Sequence, residues 1–236
     1  MQPFLGTIPR SFVHLRVNSD GWPIPWFVAD PTDFRVADGR KLELAIRNKA
    51  CWVCGLYIPR KVATFVLGCM CVVNRLSAEP PVHEECGRES ILLCPFLNQT
   101  MNRRRGGEEL PPGTVPGPGI ALLRQPRVTV LWKTRSFRVE RTREGPLFRL
   151  GDPISIEWFR EGRVATIEEV GEAFDSGLPV LEGMAKEEGE TSVAMLDAWN
   201  RQARLLALAT VGNMGAPIDA SRLAEGKVSS GRPRRD

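Results

Sequence analysis

The sequence predicts an α+β protein, and three observations carry that expectation. All six cysteines and one of two histidines fall between Cys51 and Cys94. Residues 127–159 hold several short β-branched or alternating runs separated by Gly, Asp and Pro. After Thr166 the apolar spacing changes to threes and fours, the mark of helices with one buried face. Four parts are expected: an N-terminal module over 1–97, a Pro/Gly-rich linker over 98–126, a small antiparallel sheet with helices over 127–212, and a disordered basic tail over 213–236.

Composition sets the class. Of 236 residues, 42% are hydrophobic and 25% charged, as in ordinary globular proteins. No run approaches the roughly 18 apolar residues that a membrane span needs. The Met1–Leu5 start lacks the basic and long apolar regions of a signal peptide, so the cytoplasm is the expected compartment. Cysteines in that compartment point to metal or free thiols rather than disulfides. Net charge is +4, and from Ser221 onward five basic residues against two acidic ones supply +3 of it.

In chain order, Phe12–Val17 partly alternates and Trp26–Val28 is a short apolar run, so the first part is read as strand-rich. Asp20–Pro25 reads as a turn, because each proline disfavours helix in the residue before it. Asp38-Gly39 turns the chain into a short helix over Lys41–Asn48. Val62–Leu67 and Met70–Val73 are expected to pair as a hairpin about Gly68. Pro80-Pro81 then ends the extended chain, and a helix starts near Pro81 or Val82. Past the linker, Arg127–Trp132, Phe137–Arg141, Leu147–Leu150 and Ile154–Phe159 are the expected strands. Thr166-Ile167-Glu168-Glu169 is a capping box, with Thr166 as N-cap and Glu169 three residues on. That helix is expected to stop near Asp175-Ser176-Gly177, a second to run from Pro179 to about Lys186, and a third from about Thr191 to Thr210.

The chemistry-bearing pattern is Cys51-x-x-Cys54 followed by His83-x-x-Cys86. A C-x-x-C turn presents two thiolates from one tight loop, and Gly55 permits the sharp reversal that follows. Residues 83 and 86, three apart on a helix, share a face. Together they make a four-ligand set for Zn2+. Cys94 lies eight residues beyond Cys86, about 12 Å along a helix, too far to share one ion with it. Cys71 is the reserve ligand in place of His83, and Cys69 and Cys94 are expected as packed thiols. Buried thiols without metal, or an iron–sulfur cluster using the spare cysteines, are the competing readings.

A knuckle, a hairpin and a helix bearing the second ligand pair resemble a treble-clef zinc finger over Cys51–Pro95. More loosely, Cys51-Trp52-Val53-Cys54-Gly55, then Met70-Cys71, Asn74-Arg75, Ser77, Glu79-Pro80-Pro81, His83, Cys86 and Cys94–Leu97, resemble uncharacterised proteins of phages and bacteria. That resemblance implies no activity. His83-Glu84-Glu85 holds the H-x-E half of a nucleoside-deaminase signature, but the C-x-x-C precedes it here instead of following. An HNH-type nuclease would need a catalytic histidine near the hairpin, and His14 is far upstream. Gly-rich phosphate loops and the nucleophile elbow are absent from the sequence.

These observations lead to a zinc-stabilised binding protein with nucleic acid as the expected partner. Arg103, Arg104, Arg105, Lys133 and Arg135 are the expected backbone-contacting residues, since phosphate contacts come chiefly from Lys and Arg. Trp132 and Phe137 interleave with cations, although one sheet face must pack inward and core is the simpler role for them. The alternatives are an enzyme acting on nucleic acid or nucleotides, with Cys71, Asn74, Arg75 and Glu79 around a pocket beside the metal, and a scaffold for a protein partner presented by the C-terminal helices. For Asn74, Arg75 and Glu79 the bland role is a capped turn and an Arg75–Glu79 ion pair.

Overall fold

A computed structural model describes residues 4–59, 61–98, 126–212 and 218. Arg103, Arg104 and Arg105, most of the expected linker, and all of the expected tail except Ile218 lie outside the described residues.

The first part contains less strand than its sequence suggests. Phe12–Val17 is not a strand: Arg10–Phe12 is a 3-10 turn, and Val17 makes only an isolated bridge to Pro23. The alternation there is too short to pair, and it buries Phe12 alone of the turn. β1 (Val28–Asp30) and β2 (Asp33–Ala37) then form a two-stranded ribbon. The expected helix is α1 (Gly39–Asn48), begun by the Asp38 side chain accepting the Arg40 N–H and ended by Lys49 in the left-handed region.

The expected hairpin is absent. β3 (Ala63–Gly68) is followed by a short helix, α2 (Met70–Asn74), and only then by β4 (Leu76–Ser77). β3 has a better partner elsewhere: β5 (Thr129–Thr134), six residues in continuous register, with Phe65 opposite Trp132. Two chain regions separated by residues 99–125 therefore build one sheet. Free of pairing, Met70–Asn74 coils and buries Met70, Val72 and Val73 in the main core.

The second half matches its pattern closely. β6 (Phe137–Arg141), β7 (Pro146–Leu150), β8 (Pro153–Arg160) and β9 (Arg163–Val164) complete two antiparallel sheets, ordered β3-β5-β8-β9 and β4-β7-β6. Trp132, Trp158, Phe65, Phe148 and Phe174 are fully buried in the core. Phe137 stacks edge-on against Phe65, its centroid 5.4 Å away. Trp132 is thus a core residue, whereas Phe137 packs against the rings of Phe65 and Phe148 but stays 37% exposed.

α5 (Ile167–Glu188) opens with the expected capping box. It does not stop at Gly177 but runs through it and through Pro179. Gly177 lies where a β-carbon would meet the Met70 sulfur, so the glycine allows close packing instead of ending the helix. Pro179 faces solvent, as does Asp175 four residues earlier, whose carbonyl loses the helical N–H that proline lacks. After Gly189 the chain reverses into α6 (Glu190–Thr210), whose Leu196, Ala203, Leu206 and Ala207 join the main core. Trp158 Nε1 donates to Thr210 Oγ1 at 2.8 Å, tying the end of α6 to β8. Ile218 donates its N–H to Ile154 O, so the chain beyond α6 returns to the sheet at that residue.

Candidate metal centre

The knuckle is set by its own backbone. Ala50 and Tyr57 bridge, the Cys51 N–H donates to Leu56 O at 2.7 Å, and the Gly55 N–H donates to Cys51 O at 2.8 Å. Gly55 has φ +77° and lies under the Trp26 ring, whose atoms would stand 2.7 Å from a β-carbon. Both facts require glycine. Trp26 and Phe27 in turn pack on Trp52, the latter stacked at 5.0 Å between centroids. Trp22 contacts Phe4.

The second arm arrives by sheet-like contacts. Val82 donates its N–H to Thr64 O at 2.7 Å and Trp52 donates to Pro81 O at 3.1 Å. The chain then enters α3 (Glu84–Leu93), with His83 as the extended N-cap residue and Cys86 in the first turn. His83 thus stands just outside the helix, yet it and Cys86 still converge. A one-turn helix, α4 (Pro95–Asn98), follows.

The side-chain donor atoms of Cys51, Cys54, His83 and Cys86 all lie within 4.8 Å of one another. His83 Nδ1 is 3.3 Å from Cys54 Sγ and 3.9 Å from Cys86 Sγ. On the other side of the ring, Nε2 is 3.0 Å from Tyr57 O. A carbonyl only accepts, so Nε2 carries the proton and Nδ1 turns its lone pair to the three sulfurs. Histidines that bind metals commonly have such an outer-shell carbonyl on the other ring nitrogen. The N–H groups of Cys54 and His83 point at Cys51 Sγ, at 3.5 and 3.3 Å, as donors that favour a thiolate. The three cysteines are buried and His83 is half-buried. These four residues are close enough to hold a metal ion.

Crowding lets one sulfur ionise at the expense of the others. Cys51, accepting from the Cys54 thiol and then the Cys86 thiol, is pulled down to about 2. Cys54, beside the Cys51 sulfur, is pushed up to about 11. Cys86 is pushed up by the Cys51 and Cys54 sulfurs together. A bound divalent cation inverts this order, because a coordinating thiol is deprotonated outright.

The other cysteines stay apart from this group. Cys69 is fully buried in the main core, and its thiol is pushed up by burial. Cys94 caps the end of α3 and is likewise pushed up by burial. Cys71 packs against the main core and lies outside the group formed with His83. The remaining reserve residues hold the chain. Asn74 Oδ1 accepts the Leu76 N–H, the turn-capping role expected for it. Arg75 adopts the left-handed conformation at the end of α2 and pairs with Asp152 at 2.7 Å, not with Glu79. Glu79 is exposed, its N–H donating to Ser77 Oγ. Of the expected phosphate-contacting residues, Lys133 is engaged by Glu84 at 2.6 Å and Arg135 is exposed.

Three contributors are invisible in the cysteine pattern. Tyr57 acts through its carbonyl, which no residue type announces. His14 places Nε2 3.1 Å from Cys54 O and so braces the knuckle from outside. Arg88 reaches Glu157 with two contacts, one at 2.8 Å, joining α3 to β8. Only this last had a signal: an acidic residue inside the apolar run Ile154–Phe159 asks for a buried partner.

No protein-family model matches the chain, and no curated protein or solved structure matches it either.

Proposed function

We propose that Cys51, Cys54, His83 and Cys86 hold one structural Zn2+ in a treble-clef-like module, and that the chain is a binding protein whose partner is nucleic acid. The observation that carries the zinc assignment is the His83 ring, with Nε2 fixed by Tyr57 O and Nδ1 facing three buried sulfurs. A Cys3His set suits zinc, whereas an iron–sulfur cluster commonly takes four thiolates. Four protein donors fill a tetrahedron, and a filled tetrahedron holds a fold instead of activating water. The module has a knuckle and a ligand-bearing helix, but the β3–α2 segment stands where a treble clef has its hairpin.

Nucleic acid is favoured by the exposed Arg135, Arg138 and Arg143 around β6, together with Arg103, Arg104 and Arg105 in the segment that follows α4. Lys133 contributes less, because Glu84 already neutralises it.

Elemental analysis of the wild type, Cys54→Ser and Cys71→Ser tests the metal. One zinc per chain, lost with Cys54→Ser and kept with Cys71→Ser, is the expected result, and zinc retained by Cys54→Ser overturns it. Titration with single- and double-stranded DNA and RNA tests the partner. Binding that weakens steeply with salt is expected, and no detectable binding at about 50 mM salt refutes it.

A further inference from the structure

The three-stranded sheet β4-β7-β6 has one face in the core and one outside it. By register, Phe137 lies opposite Leu150 and Val139 opposite Phe148. These residues face inward, where Phe148 and Leu150 are buried and Val139 packs on the main core. The residues between them therefore make the outer face. Leu76, Arg149 and Arg138 stand opposite one another in a row across all three strands, with Leu147 opposite Glu140 in the next row. Arg138 is exposed and the other four are partly buried.

The charges on this face are not balanced by the fold. Arg138 and Arg149 sit directly across from each other, where like charges destabilise a sheet. Guarding the β6 edge against stray pairing takes one charge, not an opposed pair. Glu140 bonds Arg149 at 2.6 and 3.0 Å, and Arg138 keeps no hydrogen-bonded acid among the described residues. Exposed Arg135 and Arg143 flank β6 at its two ends, whereas Arg141 is taken by Glu43 and Asp152 takes Arg75. Unmatched guanidinium groups suit phosphate oxygens, which accept their paired N–H groups. The apolar members of the face are leucines, so it offers no ring for the base stacking that single-strand surfaces use. We infer that the outer face of β4-β7-β6 binds the phosphate backbone of double-stranded nucleic acid, held by Arg138 and Arg149. The inference rests on the reading of the chain as a nucleic-acid-binding protein and adds the strand form and the surface.

Fluorescence-anisotropy titration of the full chain with a DNA duplex and with one of its strands, over about 50 to 200 mM salt, tests it. The duplex is expected to bind more tightly than the strand. Arg138→Gln weakens duplex binding about 5-fold and lowers the slope of log affinity against log salt by about 0.9, the value of one phosphate contact. Its urea midpoint stays the same or rises, because the like-charge pair is gone. Glu140→Gln removes the competing carboxylate and tightens duplex binding about 2- to 5-fold. Arg201→Gln, the same charge change on α6, shifts affinity less than about 2-fold. Wild-type affinity in Arg138→Gln, an equal loss in Arg201→Gln, or equal or tighter binding of the single strand overturns the inference while leaving nucleic-acid binding in place. A wild type that binds neither form at the lowest salt overturns both.

Discussion

Replacing Arg88 by alanine tests whether α3 is fastened to the sheet by charge. The Glu157 side chain is 1% exposed and sits on β8 between apolar neighbours, while Arg88 is 32% exposed. Arg88 meets Glu157 through both terminal nitrogens and also approaches Glu84 at 3.5 Å. Removing the guanidinium leaves a buried carboxylate without its counter-charge, which costs about 3–5 kcal/mol when both partners are fully buried. Because Arg88 is partly solvated, water can reach the vacated position, and the expected loss is about 2–4 kcal/mol. For a chain of this size that lowers Tm by roughly 5–15 °C. Urea unfolding followed by tryptophan fluorescence measures it, with the m-value checking that the denatured state is unchanged. The double substitution Arg88→Leu with Glu157→Leu is the discriminating control, since replacing both charges with apolar groups is often neutral. A single mutant within about 0.5 kcal/mol of wild type refutes the reasoning, because surface substitutions stay within that range. So does a double mutant as damaged as the single one.

Two further outcomes follow from named contacts. Gly87→Ala places a β-carbon 2.7 Å from Leu131 Cδ1 and 3.0 Å from Val82 Cγ2, both in packed surroundings; the expected cost is about 1–3 kcal/mol by the same denaturation assay, and an unchanged midpoint contradicts so tight a seat for α3. Glu169 is held down to about 2, chiefly by the Arg163 guanidinium, with the Thr166 N–H adding to it. A lowered carboxylate pKa contributes stability that is present above the unfolded value of about 4.3 and lost as pH falls through the folded one. Wild type should therefore lose stability between about pH 4.3 and 2 in excess of Glu169→Gln, and parallel pH profiles of the two proteins exclude the contribution.

How far the sequence could be read depends on whether the deciding interaction was local. The α5 start was legible because Thr166 and Glu169 make both halves of the capping box within one turn. The strands after Arg127 were legible because β-branched alternation states which face is buried. The convergence of Cys51, Cys54, His83 and Cys86 was legible because thiolate and imidazole spacing is itself a geometric statement, and Cys94 was set apart from them by helix rise alone. The failures are nonlocal. Val62–Leu67 and Met70–Val73 satisfy every local condition for a hairpin, and nothing within them reveals that Thr129–Thr134 pairs better with the first. Gly177 and Pro179 are punctuation by local rules, and the contact that overrules them is with Met70, a hundred residues earlier. Lys133 reads as a free cation until α3 brings Glu84 against it.

These nonlocal contacts give α3 its place in the molecule. Cys86, Gly87 and Arg88 are consecutive, and successive helical side chains point about 100° apart. Cys86 faces the knuckle sulfurs, Gly87 presses on Val66, Val82 and Leu131, and Arg88 reaches Glu157. One turn of helix thus touches the Cys/His group and the four-stranded sheet at once. A metal ion at Cys51, Cys54, His83 and Cys86 would fasten the N-terminal segments that carry Phe12, Trp26 and Trp52 to that turn, since these pack in the same cluster as Cys51, Cys54 and Cys86. Gly87 and Arg88, by contrast, hold α3 to the sheet through contacts that involve no metal ligand. Losing the ion should therefore release the knuckle and its aromatic cluster before the sheet, because every contact from Phe65 to Trp158 in the main core is independent of it. An ion held there would sit at the junction of two cores, where a structural metal adds most to a small hydrophobic cluster.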